Sequence, residues 1–484
     1  MPKLSPLQVS PLLPGTNCGE CGETTCMAFA VKLLDHVYEM TDCKPLVKDK
    51  KYEKKSKKLK DLIQPPIRAV RVGTGDRSIL IGGEEVLYRH ELTFYSPSAL
   101  MIAVPDNNEA IIEERAKLIK DFQIYRIGTT LRLQGLAIRS VSNDATTFAK
   151  AVKKVLSIAD IPLVLCSTNP AILKAGAEAA KGKNPLLYAA TKDNWKEIAQ
   201  IALTNSCGVI AFSMNLDDLA SIAASMEAAG IDKIALDPGT IAADGHLADS
   251  LDRFMMIRKA AIVKGQKDIG WPIISVLASA WIGKSANLSE AERIETAFRE
   301  AELGITFIGR GTNMLIVQTV DPWMLLGLMV LRQGVYSDPR IHPSVDAKLY
   351  EIGTPDENSP VFVTTNYTMT YFTVKDDLEA IKTNSYLLLV DSEGICVESA
   401  IAGGQVKAEH IAEAIKSSDV ENKVKHRVII IPGLAARVSG ELEGLANWKV
   451  LVGPRDSGDI GGFMKKKWDG QLDKLMQEWK EMQE

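Results

Sequence analysis

From about residue 67 to residue 330, short β-branched and apolar runs alternate with stretches whose apolar positions recur at helical spacing. Eight runs read as strands: Ala99–Val104, Leu133–Ser140, Pro162–Cys166, Leu186–Ala190, Gly208–Phe212, Lys233–Leu236, Ile273–Ala278 and Thr306–Gly309. Between them lie helix-like segments at Asn108–Asp121, Ala145–Ile158, Trp195–Leu203, Leu216–Ala229, His246–Val263 and Ser289–Leu303. Eightfold strand–helix alternation over about 230 residues predicts a (β/α)8 TIM barrel, with any chemistry at the carboxyl ends of its strands. Residues 331–484 again read α/β, with strands near Val361–Thr364, Tyr386–Val390, Arg427–Ile431 and Lys449–Val452 and helices at Ala408–Lys416 and Phe463–Trp479. The last three strands run into turn-rich loops: Asp391-Ser392-Glu393-Gly394, Pro432-Gly433-Leu434-Ala435 and Gly453-Pro454-Arg455-Asp456-Ser457-Gly458. In an open parallel, Rossmann or flavodoxin-like sheet a ligand lies just beyond such strand ends. Small residues there let a large flat ligand approach the backbone.

The amino-terminal pattern differs. Ala30, Leu33, Leu34 and Val37 recur at helical spacing after Cys26. That helix lies inside a cysteine motif, Cys18-x2-Cys21-x4-Cys26-x16-Cys43, which holds four of the chain's seven cysteines. Four thiolates suit a [4Fe–4S] cluster, one per iron, and Gly19 and Gly22 would let backbone N–H groups approach the sulfurs. A four-cysteine zinc site is the competitor, although such sites usually pair two similar C-x2-C knuckles; four unliganded thiols is the plainest alternative. An unbroken helix from Cys26 to Cys43 would part the two sulfurs by about 25 Å, so a break is expected near Asp35-His36. Nine lysines then crowd Lys44–Lys60 against Asp49 and Glu53, which reads as a solvated linker helix or a docking patch for an acidic partner. Pro65-Pro66 ends it. Three domains follow: residues 1–62 with the cysteines and the lysine-rich linker, 67–330 the barrel, and 331–484 the second α/β unit.

Composition narrows the function classes. A net charge of −4 and a pI near 6.0 give bulk charge no case for nucleic acid. The longest apolar runs, such as Trp323–Leu331, fall far short of the ~20 residues needed to span a bilayer, and Met1-Pro2-Lys3 does not open a secretory leader. Cys166, Cys207 and Cys396 stand alone in apolar, strand-like settings, as reduced core thiols do. A cytoplasmic protein under reducing conditions is expected.

With cysteine motif, barrel and C-terminal α/β unit in that order, and with the stretch Thr364-Thr365-Asn366-Tyr367-Thr368-Met369-Thr370-Tyr371, the whole chain resembles the large (gamma) subunits of the corrinoid iron–sulfur protein of the acetyl-CoA decarbonylase/synthase complex. The lysine-rich insert after Cys43 is more like the archaeal, methanogen-type members. The resemblance implies a corrinoid methyl carrier, working as a Co-methyltransferase subunit between a methyl-tetrahydropterin (tetrahydromethanopterin or tetrahydrosarcinapterin) and the nickel centre of acetyl-CoA synthase. It implies a [4Fe–4S] cluster on Cys18, Cys21, Cys26 and Cys43 that reduces Co(II) back to Co(I). It also implies a corrinoid (cobamide) held base-off by the C-terminal domain against the small (delta) subunit. The contacts expected on this basis are Asn366, Thr368, Met369, Thr370, Tyr371, Phe372 and Thr373 in the first loop, Gly433, Leu434, Ala435 and Arg437 in the second, and Gly453 and Gly458 in the third. No catalytic side chain is assigned. The C-terminal domain is expected to swing on the connection near Gly334–Pro343. A methyl on a tertiary pterin nitrogen is a poor electrophile, so its acceptor must be as strong a nucleophile as Co(I), and a low-potential cluster, down to about −700 mV, can restore that state.

Two motifs each admit a functional and a plain structural reading. Many corrinoid domains supply histidine through Asp-x-His-x-x-Gly, and Asp244-Gly245-His246-Leu247-Ala248-Asp249 lacks the glycine and lies in the barrel; it reads as a helix start with Asp244 as N-cap. Asp237-Pro238-Gly239 is similar to the turn by which pterin-binding barrels of the dihydropteroate-synthase type present an acidic residue, but Pro and Gly also simply end a strand. Two rivals therefore stay open: a methyltransferase whose barrel binds pterin at Asp237, and an iron–sulfur electron-transfer or activator protein. The barrel is expected to serve chiefly as scaffold and subunit interface.

Overall fold

The computed structural model describes residues 4–241, 246–285, 287–338 and 342–481. Two compact units result: residues 1–123 with 132–338, and residues 124–131 with 339–484. The expected break at 330/331 falls inside a helix, Pro322–Val335, and the division comes after Asp338.

In the first unit the cysteine region packs its own small core of Val9, Leu13, Phe29, Ala30, Leu33, Cys43, Leu46 and Leu59. Thr25 caps the helix Cys26–Leu34 by accepting the Ala28 N–H at 3.1 Å. The helix breaks where expected. His36 adopts φ 57°, its N–H bonds Leu33 O at 3.3 Å, and Val37 N–H reaches back to Lys32 O at 2.9 Å. This is a Schellman ending with histidine in the left-handed position usually given to glycine. The lysine-rich stretch is also structured: helix Glu53–Ile63 sends Leu59 into the cysteine-region core and exposes most of its lysines.

The barrel strands are β1 Ala99–Pro105, β2 Gly135–Arg139, β3 Leu163–Cys166, β4 Leu186–Ala190, β5 Gly208–Phe212, β6 Ile234–Asp237, β7 Ile274–Val276 and β8 Met314–Val317. They pair in parallel in the order β6-β5-β4-β3-β2-β1-β8-β7, and a bridge between Leu236 and Ile273 closes the ring. The strands are buried apolar runs, as a parallel sheet covered on both faces requires. Seven strands lie where expected and the eighth does not. Ile305-Thr306-Phe307-Ile308 continues the helix Glu290–Gly309, whose buried Ala297, Ala301, Gly304 and Ile308 keep helical spacing from the Ser289/Glu292 capping box; the eighth strand follows at Met314. The helix after β6 begins at Leu247 with His246 as N-cap, and Asp244 lies outside the described residues.

The second unit is a five-stranded sheet of β9 Leu349–Ile352, β10 Val361–Thr365, β11 Ser385–Val390, β12 Val428–Ile431 and β13 Lys449–Val452. Its order is β9-β11-β10-β12-β13, all parallel except the antiparallel edge β9, a strand the apolar pattern did not reveal. Apolar cores cover both faces. The polar tail is two helices, Ile460–Lys467 and Leu472–Glu481, parted at Gly470 with φ 68°.

Candidate functional site

The four motif cysteines border one pocket, together with Asn17, Gly19, Thr25, Phe29 and Pro45, enclosing about 310 Å³ including its mouth. The helix break is what returns Cys43 to the other three. Asn17 Oδ1 accepts the Cys26 N–H at 2.8 Å. Gly19 and Gly22 both take positive φ, 74° and 91°, but the Gly22 N–H is engaged by Gly19 O at 3.0 Å rather than free for a sulfur. Burial, and then the charges of the other three cysteines, push the Cys43 thiol up, so the set suits a cationic centre that offsets its repulsion. Among the described residues no three His, Cys, Asp or Glu side chains converge tightly enough for one ion.

A larger pocket, about 1010 Å³ including its mouth, opens at the carboxyl ends of β10, β12 and β13. Its position follows from topology. The chain leaves β10 for β11 on one side and later reaches β12 on the other, which makes β10/β12 the switch point where connections diverge. The β10–β12 ladder stops at Phe362↔Ile430, so Val363, Thr364 and Ile431 line a widening crevice. Gly433 holds its outer wall. The Gly433 N–H donates to Pro454 O at 2.8 Å, and a Cβ there would sit 2.8 Å from Gly453 O and 2.9 Å from Arg455 N. The polar lining is Thr364, Thr370, Thr373, Cys396, Glu398, Arg455 and Ser457.

Of the expected contacts, Met369, Thr370, Thr373, Leu434 and Gly453 line this pocket; the others do not. Residues Thr368–Ala380 form a helix, so one face carries Met369, Thr370, Thr373 and Val374 to the pocket while Tyr371 turns into the core and Phe372 meets Tyr125, with ring centroids 6.1 Å apart. Asn366 is buried: its Oδ1 accepts from Ser392 N at 3.0 Å and its Nδ2 donates to Asp391 Oδ1 at 3.0 Å, which staples two loops. The Thr368 N–H bonds Pro343 O. Ala435 is buried in the core, Arg437 is exposed, and the Gly458 N–H bonds Asp456. Phe362, Thr364, Cys396, Glu398, Arg455 and Ser457 were missed. Their signal was topological, strand ends and the residues just after them, and it becomes readable only once strand order is known.

In the barrel, Asp237 ends β6 buried. Tyr188 donates to its Oδ2 at 2.7 Å and Gly239 N–H to its Oδ1 at 2.8 Å, while Arg253 donates to the Pro238 and Gly239 carbonyls. Burial raises its carboxyl to about 6 against the lowering effect of those bonds. Both oxygens are occupied, and the arrangement staples its own loop.

A four-cysteine pocket and a closed parallel barrel, with an α/β unit carrying a switch-point pocket, define a multi-unit iron–sulfur protein of the TIM-barrel class. Residues 13–45 match an Fe-S cluster family, and residues 69–464 match the family described as CO dehydrogenase/acetyl-CoA synthase delta subunit. An acetyl-CoA decarbonylase/synthase complex subunit gamma 2 of Methanosarcina thermophila is 46% identical over 468 residues, 96% of this chain and 98% of that protein. The corresponding subunit gamma of Methanothermobacter thermautotrophicus is 38% identical over 467 residues, 96% and 99%. A dihydropteroate synthase structure from Thermus thermophilus covers 56% of this chain and 100% of its own at TM-score 0.37 and 16% identity. The chain belongs to the gamma-subunit family of the acetyl-CoA decarbonylase/synthase complex. The delta label attaches to residues 69–464 only, whereas the gamma relatives cover nearly the full chain. Among the described residues no helix is long and apolar enough to cross a membrane.

Proposed function

We propose that the chain is the corrinoid-holding methyl carrier of its complex, with Cys18, Cys21, Cys26 and Cys43 the sole protein ligands of a [4Fe–4S] cluster. The observation that carries this reading is the switch-point pocket, roomy, mainly apolar and bordered by hydroxyls. Bound there, a corrinoid supplies a cobalt nucleophile able to take a methyl group from a methyl-tetrahydropterin and yield it to the nickel centre of acetyl-CoA synthase, while the cluster supplies low-potential electrons. Met369, 39% exposed, covers one side of the pocket, and Thr370 and Thr373, one turn apart, present hydroxyls to amide arms. Glu398 and Arg455 lie exposed on the lining and suit polar groups at the ligand's edge. Among the described residues no histidine lines the pocket. A corrin ring is too large for one domain to enclose, which leaves its other face to the small (delta) subunit or to the partner that delivers or accepts methyl.

The rival pterin-binding barrel draws no support from Asp237, whose hydrogen bonds are internally satisfied. Visible spectra of the anaerobically purified chain, with and without the small subunit, test the reading. Bands of a base-off corrinoid are expected over the cluster absorption; a cluster spectrum alone in both samples would leave the electron-transfer protein.

A further inference from the structure

Two threonine hydroxyls at the end of β10, Thr364 Oγ1 and Thr365 Oγ1, are buried with no hydrogen-bond partner among the described residues. Their residues are 4% and 2% exposed. Buried hydroxyls rarely go unpaired, because each has given up its hydrogen bonds to water. Neighbouring residues of a strand face opposite sides of the sheet. Thr364 shares its side with Phe362, and Thr365 with Val361 and Val363, each side having its own core. Thr364 lines the switch-point pocket and Thr365 does not. The β10–β12 ladder ends at Phe362, two residues earlier, so Thr364 stands where the strands have begun to part. The pocket's other hydroxyl-bearing residues, Thr370, Thr373 and Ser457, are half-buried or exposed. Thr364 is the deep one.

We infer that Thr364 is a positioning residue of the pocket, its unpaired hydroxyl kept to hydrogen-bond a polar group that the bound corrinoid brings to the pocket floor. The inference rests on the corrinoid reading of the pocket and names the floor anchor within it. The hydroxyl is a cost in the empty protein and a contact in the loaded one, so its removal acts oppositely on the two states. Thr365, equally unpaired but away from the pocket, provides the internal comparison.

The test uses the full-length chain with its small subunit, freed of corrinoid, and cobinamide as probe. Melting temperature is read without probe, and cobinamide affinity from the visible spectrum. Thr364→Val should melt at the same temperature as the parent or higher, because the shape is kept and an unpaired hydroxyl is gone, yet bind cobinamide about three- to tenfold more weakly. Thr364→Ser should bind within about twofold of the parent, and Thr365→Val should keep full affinity. A Thr364→Val protein that binds as well as the parent overturns the inference and leaves the corrinoid reading intact. So does one that melts several degrees lower, since the hydroxyl would then be serving the fold. A parent that binds no cobinamide overturns the corrinoid reading itself.

Discussion

Asp237 shows how much a single side chain's surroundings decide. The tripeptide Asp237-Pro238-Gly239 allowed either a ligand carboxylate or a turn, and its hydrogen bonds are those of a turn: Tyr188 on one oxygen, the Gly239 amide on the other. Changing Asp237 to Asn should leave methyl transfer within a few-fold of the parent; a loss of about a hundredfold with the fold intact would favour pterin binding in the barrel. The same residue carries a pH signature. Burial lifts its carboxyl from 3.8 to about 6, so between these values the folded protein holds a proton that the unfolded chain has released. Its contribution to stability is therefore full below about pH 4, falls as pH rises through about 6, and stays at the lower level above. Asn cannot titrate, so the urea midpoint of Asp237→Asn should gain on the parent's between about pH 4 and about pH 7. Parallel midpoints over that range would show that the carboxyl is not shifted. At this scale the four cysteines were legible because their spacing is itself the chemistry. Asn366, Tyr371 and Ala435 lie outside the pocket lining, and stapling, core and ligand roles draw on the same residue types.

Elements were legible where periodicity ran uninterrupted and illegible where tertiary context overrode local composition. Thr306–Gly309 looked like a strand because isoleucine, threonine and phenylalanine favour strands, but a capped helix already under way carried the run onward. Thr368–Thr373 was read as part of a loop and is instead the first turns of a helix that follows β10, which is why its residues divide between pocket and core. The edge strand Leu349–Ile352, half-exposed and short, offered little apolar signal. What the pattern did show was that three strand ends meet small-residue loops, and this has a consequence at Gly433. Its amide and its missing Cβ let the loop after β12 lie against Gly453–Arg455. Gly433→Ala would drive a methyl into backbone that has little freedom to yield, so corrinoid affinity should fall about tenfold or more with the cluster untouched. Unchanged affinity would show that these two loops need not touch for the pocket to form.

In the whole molecule the proposed function assigns one cofactor to each of two separate parts of the chain. The cysteine region has its own core and the C-terminal sheet its own pocket, and the chain passes from one compact unit to the other after Asp338. The order of domains was legible from the pattern alone, whereas residues 124–131 grouping with the C-terminal unit was not, since that grouping depends on tertiary contacts. The two cofactors should then be separable by mutation. The most direct measurement is iron and corrinoid content, with methyl transfer, of the anaerobically reconstituted protein carrying Cys43→Ala or Thr370→Leu. Cys43→Ala should lose iron, or keep a three-iron form, and reduce its corrinoid slowly, yet transfer methyl normally once that corrinoid has been reduced chemically. Thr370→Leu should keep its iron and lose corrinoid. If Thr370→Leu keeps full corrinoid with normal spectra, or if Cys43→Ala abolishes transfer from prereduced, corrinoid-loaded protein, then the pocket is not the carrier site or the cluster is not merely its reductant.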